Sequence, residues 1–327
     1  MLGFSMAPQY TNEFDLQNAL DDAMLTGSAT FVARLTSVAL LDTVRDHLNL
    51  RMTTYALSSS IYEDGQTDVW VDFEVPAGML AVRLYRGTNS NGDNPRASAV
   101  LERAKEILEL IVTDDMSDLE REFAIHDYLT AHVRYELDGD VSDAYSAICL
   151  WQAKCSGYAD AFYLLCSIAG LTVRKIPGMA GGEAHEWNVI ELDGKWYFVD
   201  PTWDTPIGGD PNHVYLNIPA SVLANTHSWH TRNEPGTMAT ELDENNYYIA
   251  NGLTANDADE LAQLALMSMQ NGQRLEVLCP SFLNIEETIS LAMQSVLAQE
   301  GAIKTSISYD TRAYGPWQCV IISFSLQ

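Results

Sequence analysis

Basic residues are scarce. The 327-residue chain carries 18 Lys and Arg against 45 Asp and Glu, a net charge of −27. A surface of that sign repels phosphate backbones and anionic membrane or wall polymers, so nucleic acid is not expected as a direct partner and a neutral or basic peptide or protein substrate fits better. Cysteine is sparse too: five residues, odd in number and without a C-x-x-C pair, do not make a disulfide framework but leave room for a free nucleophilic thiol. No apolar run reaches the length of a membrane-spanning helix, so direct membrane insertion is not expected. The start, M-L-G-F-S-M-A-P-Q-Y, has no basic region leading into an apolar stretch. As written the chain reads as soluble; its compartment and oligomeric state stay open, and an extracellular setting after removal of a leader is compatible with so arbitrary a start. There is no EF-hand loop, and Asp138-Gly-Asp140 reads as a surface turn. His227-Ser-Trp-His230 lacks a carboxylate or third ligand at workable spacing, so no metal site is expected. Nor is there a basic Gly-rich loop to cradle a coenzyme phosphate, which argues against an acetyltransferase working on a coenzyme thioester; no cofactor is expected.

What is present concentrates between Lys154 and Asp204. From Ser156 the residues suit a helix, with Ala159, Phe162, Cys166 and Ala169 forming one apolar stripe and Gly170 supplying the stop. Cys155 then sits at the helix N-terminus. There the positive dipole end and the first backbone N–H groups favour a thiolate, and the amides of Cys155 and Ser156 are positioned to hold a developing oxyanion. Gly157 permits another chain or a substrate to approach the first turn. The remaining thiols, Cys149, Cys166, Cys279 and Cys319, read as small buried hydrophobes.

Two β-prone runs follow, Ala184 to Leu192 and Lys195 to Asp200, joined by Asp193-Gly194, the sequence of a two-residue type I′ turn. The turn sets the register. Leu192 faces Lys195, so Trp187 opposes Asp200, His185 opposes Thr202, and His185 and Asp200 form a diagonal pair on one face. An imidazole there reaches a carboxylate that orients it, and takes the thiol proton if the helix start lies over that face.

The stretch C-S-G-Y-A, followed by H-E-W-N-V-I-E-L-D-G-K-W-Y-F-V-D-P-T-W-D, resembles the catalytic core of the transglutaminase-like superfamily, in the form found in bacterial cysteine-protease-like proteins. The resemblance spans roughly residues 97 to 250. It implies an α+β fold with a papain-like core, the nucleophile helix packed on an antiparallel sheet, and it implies Cys155 as nucleophile, His185 as base and Asp200 as orienter. An upstream Gln or Trp contributes to the oxyanion hole in such cores; Gln152 and Trp151 are the nearest candidates here. Tyr158 and Trp187 are candidates to wall the cleft, or else core aromatics. Trp203 and Asp204 are expected to buttress the hairpin, Asp204 by a local hydrogen bond. The expected reaction is acyl transfer at a peptide or carboxamide carbonyl, as a peptidase or amidase; the alternatives are a transglutaminase or deamidase, and a binding or scaffold protein that keeps the fold without turnover.

Two further segments flank this core. Residues 9 to 88 read as helix, strand, helix, strand, strand, with Phe14, Leu16, Ala19, Leu20 and Ala23 on the apolar side of the first helix and strands at Thr30 to Leu35, Tyr55 to Ile61 and Val69 to Val75. Residues 251 to 327 repeat that order, which suggests a duplicated small α/β module. The Gly/Asn-rich stretch from Gly87 to Pro95 marks the first boundary. Within the core, Ser98 to Val112 is expected to be helical, and Ser117-x-x-Glu120 opens a second helix to about Tyr135 that carries His132 on its inner stripe.

Overall fold

Phe31, Ala33 and Leu35 point inward between more exposed neighbours, the period of two that makes a half-buried strand, and the first layer of the fold is built on this run. The structure is a computed structural model describing residues 7–25, 30–50, 55–87, 94–139, 141–300 and 305–326. Residues 88–93 of the expected linker, and Asp140, lie outside the described residues. The chain divides into two units, Met1–Pro211 with Thr226–Met238, and Asn212–Asn225 with Ala239–Gln327; the sequence reading draws three segments, 9–88, 97–250 and 251–327.

The first unit opens with β1 (Gln9–Tyr10), α1 (Glu13–Leu25), β2 (Thr30–Leu35), α2 (Ala39–Leu50), β3 (Tyr55–Ile61) and β4 (Thr67–Phe73). The sheet runs β1-β2-β4-β3, and Leu16, Leu20, Leu41, Val44 and Leu48 of the helices cover its Phe31, Ala33, Val69 and Val71. β4 begins two residues before the expected Val69. The reason is an ion pair: Asp68, a residue that reads as turn-forming, is buried opposite Arg34, whose guanidinium donates to both carboxylate oxygens at 2.6 and 2.8 Å.

Next comes a helix for which the sequence reading has no counterpart, α3 (Ala77–Tyr85). It packs with α4 (Pro95–Ile111) and with the helix that begins at Cys155. Asn94 caps α4, and the Ser117/Glu120 capping box starts α5 (Asp118–His132) as expected. α5 stops at His132, short of Tyr135. His132 is exposed at its end, its Nδ1 on the Tyr128 carbonyl at 2.8 Å, so it is not the core histidine its position on the stripe suggests. That place belongs to His126, fully buried six residues earlier.

After β5 (Arg134–Tyr135) and α6 (Ala144–Cys149), β6 (Gln152–Ala153) pairs parallel with β5. α7 (Cys155–Ile168) follows at once and packs on β7 (Thr172–Ala180) and β8 (Glu183–Leu192). With β9 (Lys195–Val199) and the three-residue β10 (His227–Trp229), these make an antiparallel sheet of order β10-β7-β8-β9. Helices and sheets are thus mixed in the α+β manner.

The second unit contains α8 (Ala220–Leu223), α9 (Tyr247–Ala250), α10 (Ala258–Gln270), β11 (Leu275–Pro280), α11 (Ile285–Glu300), β12 (Thr305–Tyr314) and β13 (Trp317–Leu326), with sheet order β11-β13-β12. Residues 212–225 and 239–250 fall here and not with the preceding sheet, because buried polar groups tie them to it. Asn217 Nδ2 donates to the Asn245 carbonyl, Asn246 Nδ2 reaches Tyr314, and the Tyr248 hydroxyl donates to Glu276.

Candidate active site

Three backbone features set Cys155 in place. Lys154 is the N-cap in extended conformation, its backbone N–H donates to the Val141 carbonyl at 2.9 Å, and its carbonyl accepts from Gly157 and Tyr158 to close the first turn. Gly157 does permit a close approach, but by the chain itself: a Cβ there would lie 2.8 Å from the Val141 carbonyl oxygen and 2.9 Å from Ala153 Cβ. Cys155 therefore begins α7 at the positive end of the helix dipole.

The hairpin register is the expected one, Leu192 opposite Lys195 through Asn188 opposite Val199. Asp193 and Gly194 both have positive φ, 51° and 77°, as a type I′ turn requires. The ladder ends at Val199, and Asp200 turns its carboxylate to His185: Nε2 donates to Oδ2 at 2.6 Å. Cys155 lies in hydrogen-bonding contact with the same imidazole; with Nε2 engaged by Asp200, Nδ1 is the nitrogen left for the thiol. Burial works against a charge on His185, but Asp200 and Cys155 outweigh it and push the imidazole pKa up to about 10. Burial works equally against the Asp200 anion, yet His185 and then His227 hold it well below the usual carboxylate range. On its other oxygen, Oδ1, Asp200 accepts from the backbone N–H groups of Thr202 and Trp203 at 3.0 and 3.2 Å.

A cavity of about 370 Å³ opens beside His185, lined by Tyr135, Glu183, Thr202, Trp203, Pro206 and Ile207 among others. Thr202 Oγ1 is buried there without a hydrogen-bond partner. Tyr158 does not wall this cleft. It is fully buried, its hydroxyl donating to the Val133 carbonyl at 2.6 Å, because the helical stripe turns it inward. Trp187 is likewise fully buried, stacked against His185 at 5.8 Å between centroids; it backs the imidazole and does not line the cavity. Gln152 is half-buried in β6 and is not among the cavity's lining residues. Trp151, held at φ 61°, turns its ring to His132, Tyr128 and Arg103.

Two histidines have roles the sequence reading did not give them: His126 is absent from it, and His227 enters only as a rejected metal ligand. His227 donates from Nε2 to the same Asp200 Oδ2 at 3.0 Å. His126 Nε2 lies 3.0 Å from Asp204 Oδ2, both side chains fully buried, so the Asp204 carboxylate bonds across 78 residues, while its backbone N–H donates locally to the Asp200 carbonyl at 3.2 Å. Burial opposes a charge on His126, but Asp127 and Asp204 prevail and push its pKa up to about 9. Neither partnership has a local signature; His227 comes to Asp200 only because the short β10 pairs with β7. His185, Asp200 and His227 offer ligand atoms close enough for a metal ion. Ligands around zinc at roughly 2.0–2.1 Å would stand about 3.3 Å apart, however, and the 2.6 and 3.0 Å separations are those of charge-assisted hydrogen bonds.

Residues 105–201, which contain Cys155, His185 and Asp200, match the family described as Transglutaminase-like superfamily. These residues form a transglutaminase-like domain within the chain. It is similar to "Kyphoscoliosis peptidase" of Mus musculus, 24% identical over 159 residues, which cover 43% of this chain and 24% of that protein. The Homo sapiens protein of the same name is 29% identical over 122 residues, 31% of this chain and 18% of the relative. The chain thus matches less than a quarter of the length of these relatives. A solved structure described as "Crystal structure of a TGase" aligns with 61% of this chain and 59% of its own, at 16% identity and a TM-score of 0.31.

Proposed function

We propose that this chain is a cysteine-dependent acyl-transfer enzyme acting on a peptide or carboxamide carbonyl. The observation that carries the proposal is one imidazole held between two partners, Asp200 at 2.6 Å and the Cys155 thiol at the start of α7. In the proposed reaction Cys155 Sγ attacks the carbonyl carbon while its proton passes to His185 Nδ1. The tetrahedral oxyanion forms against the backbone N–H groups at the start of α7, with Gln152 as a further candidate donor. Collapse breaks the C–N bond, and His185 delivers its proton to the departing amine, leaving a thioester. Water completes a peptidase or amidase reaction, or a deamidation when the departing group is ammonia; a lysine amine completes a transglutamination. We favour hydrolysis. The substrate class we propose is a basic peptide, supported by the net charge and by Glu183, the carboxylate among the cavity's lining residues. We further propose that the two flanking segments are duplicated modules: each runs helix, strand, helix, strand, strand, and in each sheet the third of those strands sits between the first and second.

A second reading, a scaffold that keeps the fold without turnover, is favoured by the near-complete covering of Cys155 and His185, 3% and 5% exposed. Brief, substoichiometric iodoacetamide at mildly acidic pH, with peptide mapping, separates the two. Selective labelling of Cys155 that disappears in His185→Ala is the expected result, and a peptide-library screen follows from it. Labelling of Cys155 no faster than of Cys166 would sink the enzyme reading. Cys166 gives the rate of an inert thiol, since burial raises its pKa well above the ordinary thiol value; half-buried Cys149 is the stricter comparison.

A further inference from the structure

Asp200 has four hydrogen-bond donors. Thr202 and Trp203 N–H occupy Oδ1, while Oδ2 is shared between His185 Nε2 at 2.6 Å and His227 Nε2 at 3.0 Å. A carboxylate accepts about four hydrogen bonds, so this one is saturated. We propose that His227 is a positioning residue for the Cys155–His185–Asp200 group, fixing the Asp200 carboxylate as an ionised acceptor so that His185 presents Nδ1 to the thiol; this rests on the acyl-transfer reading above.

Three observations carry the assignment. The His227 ring is held on several sides: Trp187 meets it edge-on at 5.0 Å between centroids, Trp203 lies at 4.6 Å and His185 at 5.5 Å. Its Nε2 faces the Asp200 carboxylate, which only accepts, and Nδ1 is 2.8 Å from Thr226 Oγ1, a hydroxyl able to donate to it. A hydroxyl proton donated there leaves the ring proton on Nε2, facing Asp200. Its backbone is set as well: β10 pairs with β7 so that His227 is opposite Ala180 and Trp229 opposite Gly178, while Gly178 is opposite His185 on the far side. Both imidazoles thus extend from one face of adjoining ladders toward a common oxygen.

The consequence is chemical as well as structural. With His227 in place the negative charge on Oδ2 is divided between two donors, which stabilises the anion and limits how far the carboxylate swings. Without it, Asp200 loses a charge-assisted bond in a buried setting and protonates at higher pH. The titratable groups around Asp200 are His185, His227 and Cys155, with Tyr135 and Glu183 at the cavity. Tyr135 and Glu183 are common to the variants below, so a shift among those variants reports His227.

The test is the rate of Cys155 alkylation by iodoacetamide against pH, read by peptide mapping, in wild type, His227→Gln and His227→Phe. Gln places an amide N–H near the Nε2 position; Phe keeps the ring and removes the donor. The expected result is that Gln stays within about threefold of wild type, while Phe slows labelling about ten- to a hundredfold and moves the acid limb of the profile to higher pH. Thr226→Val, which removes only the hydroxyl at Nδ1, shifts the limb the same way by less, and serves if Phe fails to fold. A folded Phe variant with an unmoved profile, or a Val variant with none where Phe does not fold, overturns the role of His227 while leaving the acyl-transfer reading intact. Absence of selective, His185-dependent labelling in wild type overturns both.

Discussion

At the scale of single residues the site is a set of buried charges that stabilise one another, which makes it sensitive to pH in both directions. His126 and His185 hold their protons more tightly in the folded chain than an ordinary histidine does. Their contribution to stability is therefore complete below about pH 6.5 and is lost as pH rises through about 9 and about 10 respectively. Asp200 has the opposite sign: its anion is favoured by folding, so its contribution is present above the ordinary carboxylate range and declines as pH falls into and below it. Asp204→Asn should accordingly lower the thermal midpoint by several degrees at neutral pH and flatten the decline on the alkaline side; an unchanged alkaline slope in a melting series would show that His126 does not carry a linked proton. Thr202 offers a second residue-scale test. Its hydroxyl is buried without a hydrogen-bond partner, so Thr202→Val, which removes an unsatisfied polar group at nearly constant volume, should leave the thermal midpoint unchanged or raise it; a clear fall in a melting measurement would show that the hydroxyl is satisfied in the folded chain.

Among the elements, the three-residue β10 matters most for its length. It lies against β7 at Gly178, where a Cβ would stand 2.3 Å from the Ser228 carbonyl oxygen and 2.5 Å from the Trp187 ring. Only glycine lets strand and indole come together there. Gly178→Ala should force β10 outward, costing about 1–3 kcal/mol by crowding and carrying His227 away from Asp200. Differential scanning and the Cys155 labelling rate, measured on the same sample, should both fall; a loss of stability alone would show that the site tolerates a displaced β10. α7 meets a similar constraint at Gly157, and its start is further held by the Lys154 N-cap backbone.

For the whole molecule, the charge of −27 sets a field more than it sets a fold. A basic peptide approaching the cavity is attracted over a distance that salt shortens, so kcat/KM toward such peptides should fall as ionic strength rises, through association more than through kcat. Glu183→Gln should reduce the preference for basic over neutral side chains by a few-fold. Indifference of the wild type to salt would set aside the basic-peptide substrate without touching the thiol chemistry.

Much of the candidate site was legible because its information is local. The stop at Gly170, the Asp193-Gly194 turn and the Ser117/Glu120 box each act through residues three or four apart, and the turn sets the register as far as Asn188 opposite Val199; the expected pairings of Trp187 with Asp200 and His185 with Thr202 lie past the end of that ladder. By the same logic Tyr158 and Trp187 were ambiguous: aromatics beside a reactive residue read alike whether they line a cleft or fill a core, and burial is a property of the packed layers. His126 with Asp204, Asp160 accepting from Gly78 and Ala144, and His227 with Asp200 join residues 78, 82, 16 and 27 positions apart. No periodicity encodes such pairs, because they exist only when separate elements exclude water from the same small volume. The start of α5, the stop of α7, the turn type and the order Cys, His, Asp were set by the sequence alone; where α5 ends, which carboxylate meets which imidazole, and how many donors Asp200 has were decided by tertiary packing, where an unpaired buried charge costs too much to persist.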